Sequence, residues 1–141
     1  MRYYAVIDTN VLVSAMLKFQ SVPGRLAEEL LLGELTPLLC DEMIEEYREV
    51  LARPKFKFDQ KAVEALIDGI IDRALFVDAV PVEEILPDPK DIVFYEVVME
   101  GRREYSDAYL VTGNMKHFPV KSFVVTPKEM LDIMNKKQAQ N

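Results

Sequence analysis

The sequence predicts an α/β fold: a three-layer α/β/α sandwich around a mainly parallel central sheet. Short apolar segments alternate along the chain with longer amphipathic segments, which favours strands joined by helical crossovers. The first segment, residues 3–7 (YYAVI), is apolar at consecutive positions, which is typical of a strand buried on both faces. Because no repeat or long linker divides the 141 residues, we expect one domain over residues 1–137 and a disordered tail over 138–141.

The elements follow from apolar periodicity and from helix stop and start signals. Gly33 and Gly101 come after helical runs, Pro54 prevents continuation of a third run, and Pro127 suits a first helical turn. Strands are predicted at residues 3–7, 36–40, 76–80, 108–112 and 122–126. Helices are predicted at residues 11–17, 23–35, 41–53, 61–75, 88–101 and 127–137.

The composition argues against a membrane protein and against a zinc site of thiolates and imidazoles. The apolar runs fall short of the ~18 residues of a membrane span, and the N-terminus lacks a signal-peptide layout, so no membrane partner is expected. Cys40 is the only cysteine, which favours a reducing cytoplasm. One Cys and one His exclude a zinc site of thiolates and imidazoles, so any metal ligands are oxygens, as Mg²⁺ or Mn²⁺ prefers.

A net charge of −7 argues against general nucleic-acid binding, because phosphate contacts need Lys and Arg. The segment 53–58 (RPKFKF) is an exception, with Arg53, Lys55 and Lys57 interleaved with two phenylalanines. These three cations are candidate contacts to an RNA backbone. The same pattern is also typical of a solvated surface loop.

Two polar positions directly follow predicted strands. Asp8 ends the first strand, and Asn114 comes just after the strand at 108–112. Ligands of parallel α/β sheets bind beyond the carboxyl ends of the strands, so both side chains are expected at one edge. Asp8 is then a candidate ligand for a hard cation, because a lone buried carboxylate is costly. The alternative is a simple helix start capped by Thr9 or Asn10.

Further acidic residues could reach the same edge. Glu46 borders the apolar stripe of the third helix, although charged helical residues are usually solvated. Asp88 and Asp91 begin the fifth helix, where they could act as ligands or serve only as capping residues that favour the helix dipole. The single histidine, His117, is more typical of a local hydrogen-bonding residue and is left outside the predicted site.

Four segments together resemble a known family. In order and spacing, VIDTNVLVSAML (6–17), EEYREVLARPKF (45–56), DPKDIVFYEVV (88–98) and YLVTGNMKHFP (109–119) are similar to PIN-domain proteins. More narrowly, they resemble the VapC-related toxins of toxin–antitoxin systems. The resemblance covers residues 3–133, nearly the whole chain.

The resemblance implies a metal-dependent endoribonuclease in which acidic residues hold one or two Mg²⁺ or Mn²⁺ ions and a metal-activated water attacks RNA. It also implies inhibition by a small antitoxin and possible homodimers. Residues that match the family pattern are the catalytic ligands Asp8, Glu46 and Asp91, the accessory ligand Asp88, and the supporting residues Thr9, Asn10 and Thr112.

The chain departs from the family at the fourth acidic position, where Asn114 stands in place of the Asp of many relatives. Asp107 precedes its strand and is expected at the opposite edge, roughly 16 Å away at ~3.3 Å per residue. Asn114 is therefore interpreted as a neutral ligand or water-holding residue, and one ion is favoured over two.

Because Asn114 lacks the negative charge of the Asp found in many relatives, an alternative remains open. In this alternative the chain is a non-catalytic PIN-like module that binds protein or RNA. A third interpretation is an aspartyl-phosphate enzyme. Such enzymes often have a second Asp two residues after the first, but this chain has Asn10 at that position.

Overall fold

The computed structural model describes residues 2–139, with side chains described for residues 2–135. Its strands are β1 (Tyr3–Ile7), β2 (Leu35–Leu39), β3 (Leu75–Phe76), β4 (Ala108–Val111) and β5 (Val124–Val125). Its helices are α1 (Thr9–Leu17), α2 (Val22–Leu31), α3 (Asp41–Leu51), α4 (Gln60–Arg73), α5 (Ile92–Gly101) and α6 (Pro127–Ala139). Short 3-10 turns occupy Pro54–Phe56, Pro89–Asp91 and Met115–His117.

The strands form one parallel sheet in the order β3-β2-β1-β4-β5, so the first strand of the chain is the central one. Ile7 is paired with Val111, and Val111 with Val125, so β1, β4 and β5 end at the same level. The six helices flank this sheet. The predicted three-layer α/β/α fold with a parallel sheet is confirmed, and the carboxyl ends of three neighbouring strands share one edge.

The edge strands are shorter than the sequence suggests. The strand predicted at 76–80 is observed as Leu75–Phe76, one residue earlier and three residues shorter, and the one predicted at 122–126 as Val124–Val125. β3 and β5 are edge strands, and each pairs with one neighbour alone. Not all of the apolar residues in these two segments therefore form hydrogen bonds with the neighbouring strand. After Val77, whose N–H still reaches the Leu39 carbonyl at 2.8 Å, the chain leaves the sheet.

Several helix ends also differ from the prediction. The predicted helix at 23–35 ends at Leu31, because Gly33 has a φ of 82° and the chain turns there into β2. The predicted helix at 88–101 begins as a 3-10 turn, with α5 regular from Ile92. Helix α6 continues through residue 139, beyond the predicted domain end at 137, since no Gly or Pro follows Pro127. Residues 140 and 141 of the predicted tail lie outside the described residues.

The core ties α3 to the end of β1. Tyr47 is fully buried, and its hydroxyl donates a hydrogen bond of 2.5 Å to the carbonyl oxygen of Ile7. Its neighbour Glu46 and the neighbour of Ile7, Asp8, are thereby held near one another. Within residues 2–139, none of the helices has both the length and the apolar character needed to cross a membrane.

We predict that Tyr47→Phe lowers the free energy of unfolding by about 1–3 kcal/mol, because the buried Ile7 carbonyl loses its donor. Urea denaturation followed by circular dichroism measures the change. Tyr109→Phe is the matched control, since the Tyr109 side chain is only partly buried. Equal stability of Tyr47→Phe and wild type would contradict the role of this bond.

Candidate functional site

Asp8 lies immediately beyond the end of the central strand and is only 4% exposed. Its backbone N–H donates to the Val111 carbonyl at 2.9 Å and continues the β1–β4 ladder by one step. That register brings Thr112 beside it, and the Thr112 hydroxyl donates to the Asp8 Oδ2 at 2.8 Å. The Asn10 Nδ2 donates to the same oxygen at 3.0 Å. The carboxylate is thus held by two neutral donors.

Glu46 reaches this edge of the sheet from the second turn of α3. Its Oε2 accepts a hydrogen bond from the hydroxyl of Thr9, the first residue of α1. The sequence position of Glu46, next to the buried Tyr47, explains why it faces inward. The Thr9 hydroxyl therefore supports the second carboxylate, while its backbone N–H supports Asp8, as the resemblance implied.

The third and fourth carboxylates lie in the segment that leads into α5. Asp88 caps the 3-10 turn, and its Oδ1 accepts from the backbone N–H of Lys90 at 2.9 Å. Asp91 ends that turn, and its Oδ2 lies 3.0 Å from the Nδ1 of His117. Asp88 therefore has the predicted capping role, while the Asp91 side chain points toward the segment after β4.

The segment after β4 links these groups by hydrogen bonds. The Thr112 Oγ1 accepts from the Asn114 N–H at 2.9 Å, and the Gly113 N–H donates to the Asn10 Oδ1 at 3.0 Å. The Asn114 Nδ2 lies 2.9 Å from the His117 Nε2. A continuous chain of polar contacts therefore joins the first carboxylate to the third through a hydroxyl, an amide and an imidazole.

These side chains surround one cleft of about 420 Å³. All five predicted metal ligands and the predicted supporting residues Thr9 and Asn10 line it, whereas Thr112 is fully buried behind Asp8. The full lining comprises Asp8, Thr9, Asn10, Val13, Glu46, Val50, Arg53, Phe56, Asp88, Lys90, Asp91, Asn114 and His117.

Sequence reasoning misplaced or missed part of this lining. His117 lies in the cleft, although it was expected outside the site. Lys90 was also missed, and its place between two predicted acidic ligands was the available signal. Of the predicted RNA contacts, Arg53 lines the cleft and Lys55 and Lys57 do not.

The acidic residues of the cleft destabilise one another's charged forms. Burial, followed by the negative charges of Asp91 and Glu46, raises the pKa of Asp8 to about 6 against the hydrogen bond from the Thr112 hydroxyl. Burial also raises the pKa of Glu46, with added repulsion from Asp91 and Asp88. The pKa of Asp91 is raised by burial and by Asp88. Such a cluster favours a bound cation.

The donors suit Mg²⁺ or Mn²⁺ in their chemistry, since the converging side chains offer carboxylate and amide oxygens. Within residues 2–135, no group of three or more His, Cys, Asp or Glu side chains could hold an ion as it stands. Glu46 and Asp91 are turned toward Thr9 and His117 instead. Mg²⁺ usually keeps several waters and one or two carboxylates, so direct coordination by all three acids is not required.

We predict that Asp8→Asn stabilises the protein in EDTA at pH 7.5 by about 1–3 kcal/mol, because a raised pKa of about 6 means that folding disfavours the charged form. By the same linkage, the free energy of unfolding of wild type rises as the pH falls from about 6 toward 4. This pH dependence is weaker in Asp8→Asn.

Denaturant titrations across this pH range measure both effects. Asp107→Asn is the control, since it makes the same chemical change just before β4, at the opposite edge of the sheet. A less stable Asp8→Asn protein, with an unchanged pH dependence, would contradict the electrostatic account.

Comparison with known protein families gives one match, which bears on the fold of the chain. No curated protein and no solved structure gives a significant match to the chain. The family described as PIN domain matches residues 4–116, which include β1 from its second residue, β2 to β4 and each predicted acidic ligand. Since the match covers well over half of the 141 residues, the chain belongs to the PIN domain family.

Proposed function

We propose that this protein is a Mg²⁺- or Mn²⁺-dependent endoribonuclease that hydrolyses RNA phosphodiesters. One observation carries the proposal: Asp8, Glu46 and Asp91, from three separate parts of the chain, converge on one cleft, where burial and neighbouring carboxylates raise the pKa of each. Membership of a family with a nuclease-type fold gives independent support. An acidic cleft without a cation would repel a phosphate backbone, so the proposed substrate itself calls for a metal.

In this proposal the three carboxylates bind the cation, with Asn114 as a neutral oxygen ligand and Asp88 as an outer acidic residue. Thr112 and Asn10 orient Asp8, since both donate to its Oδ2. When bound, the cation supplies Lewis-acid stabilisation of the charge that builds on a phosphodiester attacked by water. Because Asn114 adds no charge, we propose one ion rather than two.

The chain's second candidate function is non-catalytic binding of RNA or protein. Two observations favour it. An amide, Asn114, occupies the fourth acidic position, and no three of the described acidic side chains are arranged to hold an ion as they stand. It differs from the first proposal in a measurable way, since binding would persist without cleavage.

A toxin role, a small antitoxin partner, a homodimer and a cytoplasmic location are further proposals that rest on the resemblance of the four motifs and on the single cysteine. The toxin role adds the requirement that the activity of the chain arrests growth when no antitoxin is present.

Two cationic side chains in the lining of the cleft could meet the RNA backbone, namely Arg53 and Lys90. Lys90 lies in the turn that begins at Asp88 and ends at Asp91. The guanidinium of Arg53 is engaged by Glu49, with an Nη2–Oε2 distance of 2.9 Å, so its charge is partly neutralised. The Lys55 ammonium lies 5.1 Å from the centre of the Phe56 ring. We therefore propose Lys90 as the stronger phosphate contact, with Arg53 second and Lys55 and Lys57 peripheral.

We predict that the wild-type protein cleaves a single-stranded RNA oligonucleotide with Mn²⁺ or Mg²⁺ and that EDTA abolishes cleavage. Asp8→Asn, Glu46→Gln and Asp91→Asn each lower the rate by about 100-fold or more, since each removes a charge that holds the cation. Asp107→Asn keeps the wild-type rate. A gel assay with labelled RNA measures the rates, and growth of bacteria expressing wild type or Asp8→Asn tests the toxin role.

Cleavage that survives both EDTA and Asp8→Asn would remove this cleft from the mechanism. RNA binding without cleavage by the wild-type protein would instead favour the non-catalytic function.

We predict that Lys90→Gln weakens RNA binding more than Arg53→Gln does, and that Lys57→Gln has little effect. Fluorescence anisotropy in the non-cleaving Asp8→Asn background, with Mg²⁺ present, measures the affinities at several salt concentrations. Loss of one phosphate contact reduces the slope of log affinity against log salt by about 0.7 for a single strand. A larger loss for Lys57→Gln than for Lys90→Gln would show that the RNA takes another path.

A further inference from the structure

His117 lies between two candidate ligands of the cleft. Its Nδ1 is 3.0 Å from the Asp91 Oδ2, and its Nε2 is 2.9 Å from the Asn114 Nδ2. Its side chain is 39% exposed, and it lies in a 3-10 turn outside the apolar core. Packing alone therefore does not account for its position, and its two polar contacts are the feature to explain.

The carboxylate dictates the protonation pattern of the neutral ring. A carboxylate only accepts hydrogen bonds, so the imidazole proton lies on Nδ1, where it is donated to Asp91. The Nε2 is then an acceptor and needs a donor. The Asn114 amide provides one through its NH₂ group, which fixes which way the amide points.

The amide orientation has a direct consequence for the cleft. The NH₂ group of Asn114 is directed at the imidazole, so its carbonyl oxygen is directed away from the ring, and Asn114 is a lining residue of the cleft. Asp91 contacts the ring through Oδ2, which leaves Oδ1 without a contact to the ring. One imidazole thus holds one polar atom of each neighbour and leaves the other side-chain oxygen of each outside its contacts.

We infer that His117 is a positioning residue of this site: it orients the Asn114 amide and the Asp91 carboxylate so that both offer an oxygen to the divalent cation. The inference rests on the proposed metal-binding function and assigns His117 no contact with the substrate.

The first test needs no metal. Long-range ¹H–¹⁵N spectra of the EDTA-treated protein at pH 8, where an ordinary imidazole is neutral, report which ring nitrogen carries the proton. We expect a proton on Nδ1 and an Asn114 side-chain amide signal that moves in His117→Ala. A proton on Nε2 would overturn the inference, since the amide would then be turned the other way.

The second test measures Mn²⁺ affinity by electron paramagnetic resonance of the free ion. We expect His117→Ala to weaken binding about 10-fold or more, as is usual when a residue that orients a metal ligand is removed. His117→Gln should recover most of the affinity, because its side-chain amide also carries one donor and one acceptor. Lys116→Ala, in the same exposed turn, is the control and should bind as wild type does.

A double-mutant cycle links the effect to its target. In the Asn114→Ala background, His117→Ala should cost less affinity than in wild type, because part of its role is already gone. Wild-type affinity in His117→Ala, or no recovery in His117→Gln, would overturn the positioning role while leaving the cation site intact. Absence of Mn²⁺ binding by the wild-type protein would overturn the proposed function, and this inference with it.

Discussion

A carboxylate placed at the end of a doubly buried strand loses much of its hydration, and the surroundings of Asp8 limit that cost. Two neutral donors, the Thr112 hydroxyl and the Asn10 amide, share its Oδ2. These donors give Oδ2 its hydrogen bonds without neutralising the negative charge of Asp8, so the pKa of Asp8 remains raised to about 6. Full compensation by a Lys or Arg would have lowered the pKa and removed the electrostatic demand for a cation. The neutrality of these donors thus maintains the affinity of the cleft for positive charge.

The parallel sheet makes this arrangement possible, because β1 and β4 end at the same level and are hydrogen-bonded neighbours. A shift of the register by one residue would move Thr112 away from Asp8. The Tyr47 hydroxyl acts in a similar way from the helical layer, since it ties α3 to the last carbonyl of β1. The positions of Asp8 and Glu46 are therefore determined by backbone pairing and by a buried hydroxyl, and the two acids, which repel each other, need contribute little to the assembly.

The sequence predicted the fold and the central strand to the residue, because apolar periodicity and strand ends are local signals. The acidic residues that it singled out line one cleft, and their role as metal ligands stays a prediction. It overestimated β3 and β5, whose lengths depend on pairing with one neighbour. His117 was missed because a lone histidine carries no periodic pattern, and its contacts depend on the 3-10 turn that brings it back toward Asp91. Lys55 and Lys57 were predicted as RNA contacts from local charge alone. Tertiary structure decides which side chains point into the cleft, and these two do not line it.

The hydrogen bond between Thr112 and Asp8 joins residues 104 positions apart. A chain is synthesised from its N-terminus, so β1 is made before its neighbour β4. A nascent chain on the ribosome that has not reached β4 lacks the Thr112 donor, the Asn114 amide and the His117 ring together. The cleft around Asp8 is therefore incomplete until β4 and the turn after it have been made.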